Sequence, residues 1–315
     1  MKYKIFVDGQ EGTTGLRIHE YLSKRNDLEI LKIDAERRKD LIARQELLNK
    51  ADVVFLCLPD TASKESTALI TNPHTRVIDA STAFRTDPGW TYGLPELSAS
   101  QREEIRASFR VSNPGCHATG FILSIYPLIK AGILPNDYPV IGYSITGYSG
   151  GGKKLIEKYE SKVDNNEDLN VPKYYALKLN HKHLPEMQMR AGLMYPPLFT
   201  PVVANFYKGL AMSIPLIPRL LSKKVGIYDI HHLLSSHYAS ERYVRVMPLE
   251  ADAFLEDGFF DLTNCNNTNN VDIFVLGNDE QILLLSRFDN LGKGASGAAI
   301  QNMNIMLGLN EQMGL

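Results

Sequence analysis

From Lys4 onward the chain alternates two textures. Short apolar runs rich in β-branched residues are K-I-F-V-D (4–8), E-I-L-K-I (29–33), D-V-V-F-L-C-L (52–58) and R-V-I-D-A-S (76–81). Between them, T-G-L-R-I-H-E-Y-L (14–22) and D-L-I-A-R-Q-E-L-L (40–48) repeat their apolar residues every three or four positions. This predicts βαβαβ, and strands apolar along most of their length belong in a parallel sheet covered on both faces. After residue 116 the strands lengthen: V-I-G-Y-S-I-T (140–146), P-V-V-A-N-F-Y (201–207), G-L-A-M-S-I-P-L (209–216) and V-D-I-F-V-L-G (271–277). The last is joined by Asn278-Asp279 to Q-I-L-L-L-S (281–286) as a hairpin, so antiparallel pairing is expected here. Residues 159–179 are polar and weakly patterned and read as a surface excursion, and 264–270 as an Asn-rich loop. A final helix at about 294–309 is expected to fold back on the first domain. The fold class is therefore α/β: a Rossmann-like parallel-sheet domain (1–115 plus 290–315) with a second α+β domain of mainly antiparallel strands (116–289).

A length of 315 residues suits two such domains. Net charge of -2 with 22% charged residues gives no bias toward nucleic acid or a membrane. Met1-Lys2-Tyr3-Lys4 runs straight into the first strand without a leader, and no apolar run approaches the ~20 residues of a membrane span, so a cytoplasmic protein is expected. Three cysteines, Cys57, Cys116 and Cys265, without C-x-x-C spacing support neither a disulfide framework nor a cysteine-rich zinc site.

Directly after the first strand comes G-Q-E-G-T-T-G, with Gly9, Gly12 and Gly15 spaced as G-x-x-G-x-x-G. It departs from G-x-G-x-x-G but meets the same demand: a tight turn, backbone close to a pyrophosphate, and helix N–H groups facing it. After the second strand, Asp34 is placed to take a ribose 2′-hydroxyl, whereas Arg37 and Arg38 suit a 2′-phosphate. The adjacent arginines favour NADP; their other reading is a solvated helix start.

In S-N-P-G-C-H-A-T-G (112–120), Cys116 follows Pro-Gly and opens an apolar helical run. A helix N-terminus favours thiolate over thiol. It supplies about 0.3–1 kcal/mol, up to ~2 when partly buried, against ~1.4 kcal/mol per pKa unit. The dipole alone is marginal, so a histidine is expected to supply the rest. Gly115 and the helix amides offer oxyanion donors, with Ser112 and Asn113 close enough to help. Cys57, inside V-F-L-C-L, reads as a small buried hydrophobe. H-K-H-L-P-E (181–186) holds the densest titratable cluster of the second half. If the stretch is extended, His181 and His183 share a face. They then serve as base and substrate ligand, or with Glu186 as three zinc ligands, or as a structural pair.

Together these residues resemble the N-acetyl-γ-glutamyl-phosphate reductase family, NADP-dependent acyl-phosphate reductases of arginine biosynthesis. The resemblance spans nearly the whole chain: the Gly9/Gly12/Gly15 turn, D-A-S-T-A-F-R (79–85), Y-G-L-P-E-L (92–97), S-N-P-G-C (112–116), T-G-Y-S-G-G-G (146–152), H-K-H-L-P-E, and D-N-L-G-K-G-A-S-G-A-A-I-Q-N-M-N (289–304). The chain is similar to the shorter class of that family, with G-Q-E-G where longer members carry a G-A-S-G-like turn. The resemblance implies Cys116 as nucleophile and His181 as acid/base, with His183 and Glu186 orienting it or holding substrate. It implies Arg85 on the acyl phosphate, Ser112, Asn113 and Ser149 around the substrate, and Gly150 and Gly151 at the cofactor. Thr13, Thr14, Pro59 and Ser81 join the glycine turn and Arg37/Arg38 around NADP, and Asn290, Lys293 and Gly294 meet its nicotinamide side. A small acyl-phosphate substrate and a homodimer or homotetramer follow from the same resemblance. Rival readings are an aspartate-semialdehyde-type dehydrogenase, a Cys/His hydrolase or acyltransferase on a nucleotide-fold scaffold, and a zinc enzyme built on the histidines.

Overall fold

The structure, a computed structural model, describes residues 2–161 and 169–315. The chain divides into two compact units, Met1–Gly115 with Ala295–Leu315, and Cys116–Gly294.

The first unit holds strands β1 (Tyr3–Asp8), β2 (Leu28–Leu31), β3 (Val53–Leu56), β4 (Arg76–Asp79), β5 (Thr91–Tyr92) and β6 (Arg110–Ser112), ordered β2-β1-β3-β4-β6-β5. Every pairing is parallel. Helices α1 (Thr13–Ser23), α2 (Leu41–Lys50), α3 (Asp60–Ala68) and α4 (Ala99–Ala107) lie between them in the chain. Strand periodicity sorts the core. Ile5, Val7, Val53 and Phe55 pack in one cluster with Ile18 and Leu22 of α1, while Phe6, Val54 and Leu56 pack in another with Leu48 of α2. Neither α3 nor α4 follows from apolar spacing. The first buries Ser63 and Ser66, and the second buries only Ile105 behind an N-cap in which Ser98 accepts the Gln101 amide.

The second unit opens with α5 (Cys116–Lys130) and continues through β7 (Ile141–Gly147), α6 (Lys153–Glu160), β8 (Lys173–Tyr174), α7 (Leu184–Ala191), β9 (Leu198–Ala204), β10 (Leu210–Leu216), α8 (Ile227–His237), β11 (Val244–Val246), β12 (Val271–Gly277) and β13 (Ile282–Phe288). The seven strands are ordered β11-β12-β13-β10-β7-β9-β8. Pairs β10–β13, β10–β7, β12–β13 and β8–β9 are antiparallel as expected, but β7–β9 and β11–β12 are parallel. The first of these parallel pairs is joined through α6, β8 and α7, a crossover long enough to bring β9 back in the direction of β7. The β12–β13 connection spans residues 278–281, not two residues, closed by the Asn278 amide on the Gln281 carbonyl at 2.9 Å. Of the expected surface excursion at 159–179, residues 162–168 lie outside the described ones. Residues 173–174 are instead an edge strand, and Tyr175 turns partly inward.

Helix α5 is apolar on nearly every side and buries Ala118, Phe121, Ile122, Leu123, Ile125 and Leu128 against β10, β13, α7 and α8. Its first residue is thus anchored by the core of the unit. The last helix, α9 (Gly297–Met306), follows a wide turn at Gly292–Ser296 and packs against α1, α4 and β4 of the first unit, as expected. Among the described residues no helix is long and apolar enough to cross a membrane.

Candidate active site

In the first unit, β1 ends where the glycine turn begins. Gly9 has φ +89, and a Cβ there would lie 2.3 Å from the Cys57 carbonyl oxygen. On Gly15 a Cβ would lie 2.4 Å from the Gly9 carbonyl oxygen. Only glycine fits either place. Gly12 donates to the Gly9 carbonyl at 3.2 Å and N-caps α1 without a side-chain partner, and the first turn, with Thr13 and Thr14, carries no acid. The turn therefore presents backbone N–H groups where a side chain has no room, which fits a dinucleotide pyrophosphate.

Arg37 and Arg38 are exposed in a turn, not at a helix start. Arg37 pairs with Asp40 at 3.2 Å, and Arg38 with Glu11 beside the glycines. Pro59 N-caps α3. Buried Asp79, whose carboxyl is pushed up by burial, accepts from the Ser81 hydroxyl at 2.6 Å and from the Ser63 hydroxyl. Cys57 is partly buried and packs against the apolar core of this unit, as a small hydrophobe should, and its thiol is raised by burial and by Asp79 and Asp8.

The S-N-P-G segment is held by its own unit. The Asn113 amide donates to the Asp79 carbonyl at 2.7 Å, and its side chain donates to the Ala295 carbonyl at 2.9 Å and accepts from Asn302 of α9 at 3.2 Å. Ser112 is buried, with its hydroxyl 3.4 Å from the Thr91 carbonyl. Arg85 is buried too and spends Nε on the Asn113 carbonyl (2.9 Å) and Nη2 on the Ala80 carbonyl (3.0 Å). It shapes this segment through these two carbonyls.

In the second unit, half-buried Cys116 is the first residue of α5, a helix with no acid in its first turn. Gly294 packs against it; a Cβ there would lie 2.9 Å from the Cys116 Cβ. Asn290, two residues past β13, accepts the Gly209 amide at 2.8 Å and donates to buried Ser149 at 3.0 Å. Ser149, Gly150 and Gly151 form one short helical turn after β7, and Lys293 is fully buried with its ammonium 6.0 Å from the Tyr243 ring centre.

The histidine motif is not extended. His181 sits in a turn and His183 at the start of α7, with ring centres 4.7 Å apart and nearly perpendicular. Pro185 sets the first turn of α7, which buries Glu186. The His181 Nδ1 accepts the His183 amide at 3.1 Å, so the neutral ring carries its proton on Nε2. Among the described residues no three His, Cys, Asp or Glu side chains are grouped to hold a metal.

Sequence reasoning passed over three residues here. His117 is buried, its ring centre 5.4 Å from that of His181, with Nδ1 3.0 Å from the Ser144 hydroxyl and Nε2 2.7 Å from the Tyr175 hydroxyl. Burial and the neighbouring His181 and Lys182 push this imidazole down to about 3. The available signal was one titratable residue inside an otherwise apolar helix, next to the thiol.

Residues 116–290 match the semialdehyde dehydrogenase dimerisation-domain family, and 4–107 match the semialdehyde dehydrogenase NAD-binding-domain family. Aspartate-semialdehyde dehydrogenase structures share the fold. Enzyme II of Vibrio cholerae has a TM-score of 0.70 at 14% identity over 98% of each chain, and the Francisella tularensis protein 0.72 at 15% over 97% of this chain and 100% of that one. Fold and site together define an NAD(P)-binding oxidoreductase of the semialdehyde dehydrogenase class. N-acetyl-gamma-glutamyl-phosphate reductase 2 of a Nostoc species is 47% identical, covering 100% of this chain and 99% of its own. The Pseudomonas putida protein of the same name is 47% identical over 96% of each, and the Mesorhizobium japonicum N-acetyl-gamma-glutamyl-phosphate reductase 46% over 98% and 100%. The chain belongs to the N-acetyl-gamma-glutamyl-phosphate reductase family.

Proposed function

We propose that this protein reduces N-acetyl-L-glutamyl 5-phosphate to N-acetyl-L-glutamate 5-semialdehyde with NADPH, releasing phosphate, through a thioester on Cys116, as a cytoplasmic homodimer or homotetramer in arginine biosynthesis. The observation that carries the reading is a half-buried cysteine opening a long apolar helix beside a cluster of three histidines, in a chain of this family.

Cys116 attacks the acyl carbon as its thiolate; the C–S bond forms and the C–O bond to phosphate breaks. Breaking the His183 amide contact frees the His181 lone pair that takes the thiol proton, and that proton leaves with phosphate. The phosphate passes to Arg85, and His183, Glu186, Ser112, Asn113 and Ser149 hold the rest of the substrate. When bound, the reduced dinucleotide supplies a hydride to the thioester carbonyl. His181 Nε2–H and the α5 amides then hold the oxyanion of the tetrahedral adduct, which expels the Cys116 thiolate and leaves the aldehyde. The cofactor is gripped by Gly9, Gly12, Thr13, Thr14 and Gly15, with Pro59, Ser81, Gly150, Gly151, Asn290, Lys293 and Gly294 along its length. Arg37 and Arg38 favour NADP because their present partners are exposed carboxylates. Such surface pairs are worth at most about 1 kcal/mol, so a 2′-phosphate displaces them at little cost.

Absorbance at 340 nm with a panel of acyl phosphates tests this. Oxidation of NADPH by N-acetylglutamyl phosphate well above aspartyl phosphate is expected. Phosphate release without loss of NADPH would make the protein a hydrolase instead.

A further inference from the structure

Four rings surround the imidazole of His181. Between ring centres, His183 stands 4.7 Å away, Phe199 5.2 Å, His117 5.4 Å and Tyr175 5.9 Å, at interplanar angles of 89°, 78°, 84° and 60°. All four are edge-to-face contacts, an arrangement that aromatic rings favour over direct stacking. They come from four places in the second unit: the cap of α7, the second residue of β9, the second residue of α5 and the residue after β8.

These walls are fixed by contacts of their own. Phe199 and His117 are 1% and 3% exposed. His117 is held at both nitrogens, with Nδ1 3.0 Å from the Ser144 hydroxyl and Nε2 2.7 Å from the Tyr175 hydroxyl. The Tyr175 amide donates to the Pro201 carbonyl of β9 at 3.2 Å, and the His183 carbonyl accepts the Met187 amide at 2.9 Å. His117 also touches the other three walls, its ring centre 5.2 Å from Phe199, 5.6 Å from His183 and 6.3 Å from Tyr175. His181 itself is only half-buried. An exposed side chain changes rotamer within nanoseconds, but a ring set among others packed at interior density cannot turn unless they move.

We propose that His117, Tyr175 and Phe199 are positioning residues: with His183 they box the His181 ring, so that Nδ1 stays turned to the His183 amide and the resting proton stays on Nε2. The functional part rests on His181 being the acid/base of the reaction proposed above. That chemistry opens the His183 amide contact when the His181 lone pair takes the thiol proton, so the contact cannot be what holds the ring in place throughout. The walls hold it instead. None of the three takes part in the chemistry itself; each acts through His181.

The test removes one wall at a time from the full-length protein and reads the ring nitrogens of His181 by NMR of 15N-histidine-labelled enzyme. Spectra are taken at about pH 8.5, where an ordinary imidazole is neutral, and His181 is assigned by its loss in His181→Asn. Wild type is expected to show two well separated His181 nitrogens, with the protonated one identified as Nε2 by its couplings to the ring C–H protons. Phe199→Leu and Tyr175→Leu should draw the two together, as the freed ring shares its proton between both. Tyr175→Phe, which keeps the wall and loses only the hydroxyl, should leave them apart. In turnover, each Leu variant should lower kcat about tenfold with KM within about twofold, and Tyr175→Phe should return kcat to within about threefold of wild type. Tyr175 is only partly buried, so the Leu and Phe variants there give the answer even if Phe199→Leu does not fold. Nitrogens that stay apart in Tyr175→Leu, or that draw together as much in Tyr175→Phe, overturn the box. Unchanged kcat in His181→Asn would instead overturn the acid/base reading, with the nitrogen spectra still testing the box by themselves.

Discussion

Removing the sulfur separates binding from chemistry. Cys116→Ala should lower acyl-phosphate reduction at least ~10³-fold while NADPH titration by fluorescence stays within about twofold of wild type. At the glycine turn the constraint is steric. Gly9→Ala must hold φ near +89 with a Cβ inside contact distance of the Cys57 carbonyl. We expect a loss of about 2–3 kcal/mol in urea unfolding and the disappearance of saturable NADPH binding. At Arg37 and Arg38 the effect should be specificity alone: in the double alanine variant the NADPH KM rises about tenfold and the NADH KM does not. The placement of Cys116 at a helix start and of the glycines after a strand end was legible in the sequence, because apolar patterning locates both. Tyr175 was not, because its partner His117 is 58 residues away and its own neighbourhood is polar and unpatterned. That Arg85 ties down two carbonyls was not legible, since those contacts exist only once the chain has folded.

Between elements, the sheet of the first unit is tied by polar contacts that periodicity cannot reveal. Asp8 at the end of β1 is buried with Arg44 of α2 at 2.8 Å and accepts from Ser66 of α3 at 2.9 Å. Arg44→Met leaves that carboxylate without its cation and should cost about 3–5 kcal/mol. Adding Asp8→Asn should restore part of it, measured by urea unfolding of both variants. The βαβ order, the parallel first sheet and the returning last helix were readable because both faces of that sheet are covered and each strand is nearly all apolar. Strand direction in the second unit was less so. Pairs β7–β9 and β11–β12 are parallel because of how long connections return, and alternation of side chains is the same in either direction. Helix α3 was invisible for a related reason: it buries serines, two of them on the Asp8 and Asp79 carboxylates, in place of an apolar stripe.

For the whole molecule, the proposed chemistry needs a dinucleotide-binding unit and a thiol-bearing unit in one chain. The chain passes from the first to the second between Gly115 and Cys116 and returns between Gly294 and Ala295. Family membership fixes the class of reaction, and covalent catalysis on Cys116 is the claim on which the mechanism stands. Intact-protein mass spectrometry after mixing the enzyme with N-acetylglutamyl phosphate in the absence of NADPH tests it most directly. The account predicts an N-acetylglutamyl increment that maps to Cys116, is missing in Cys116→Ala, and disappears when NADPH is added. A sulfur that stays unmodified under conditions where aldehyde forms once NADPH is supplied would contradict it.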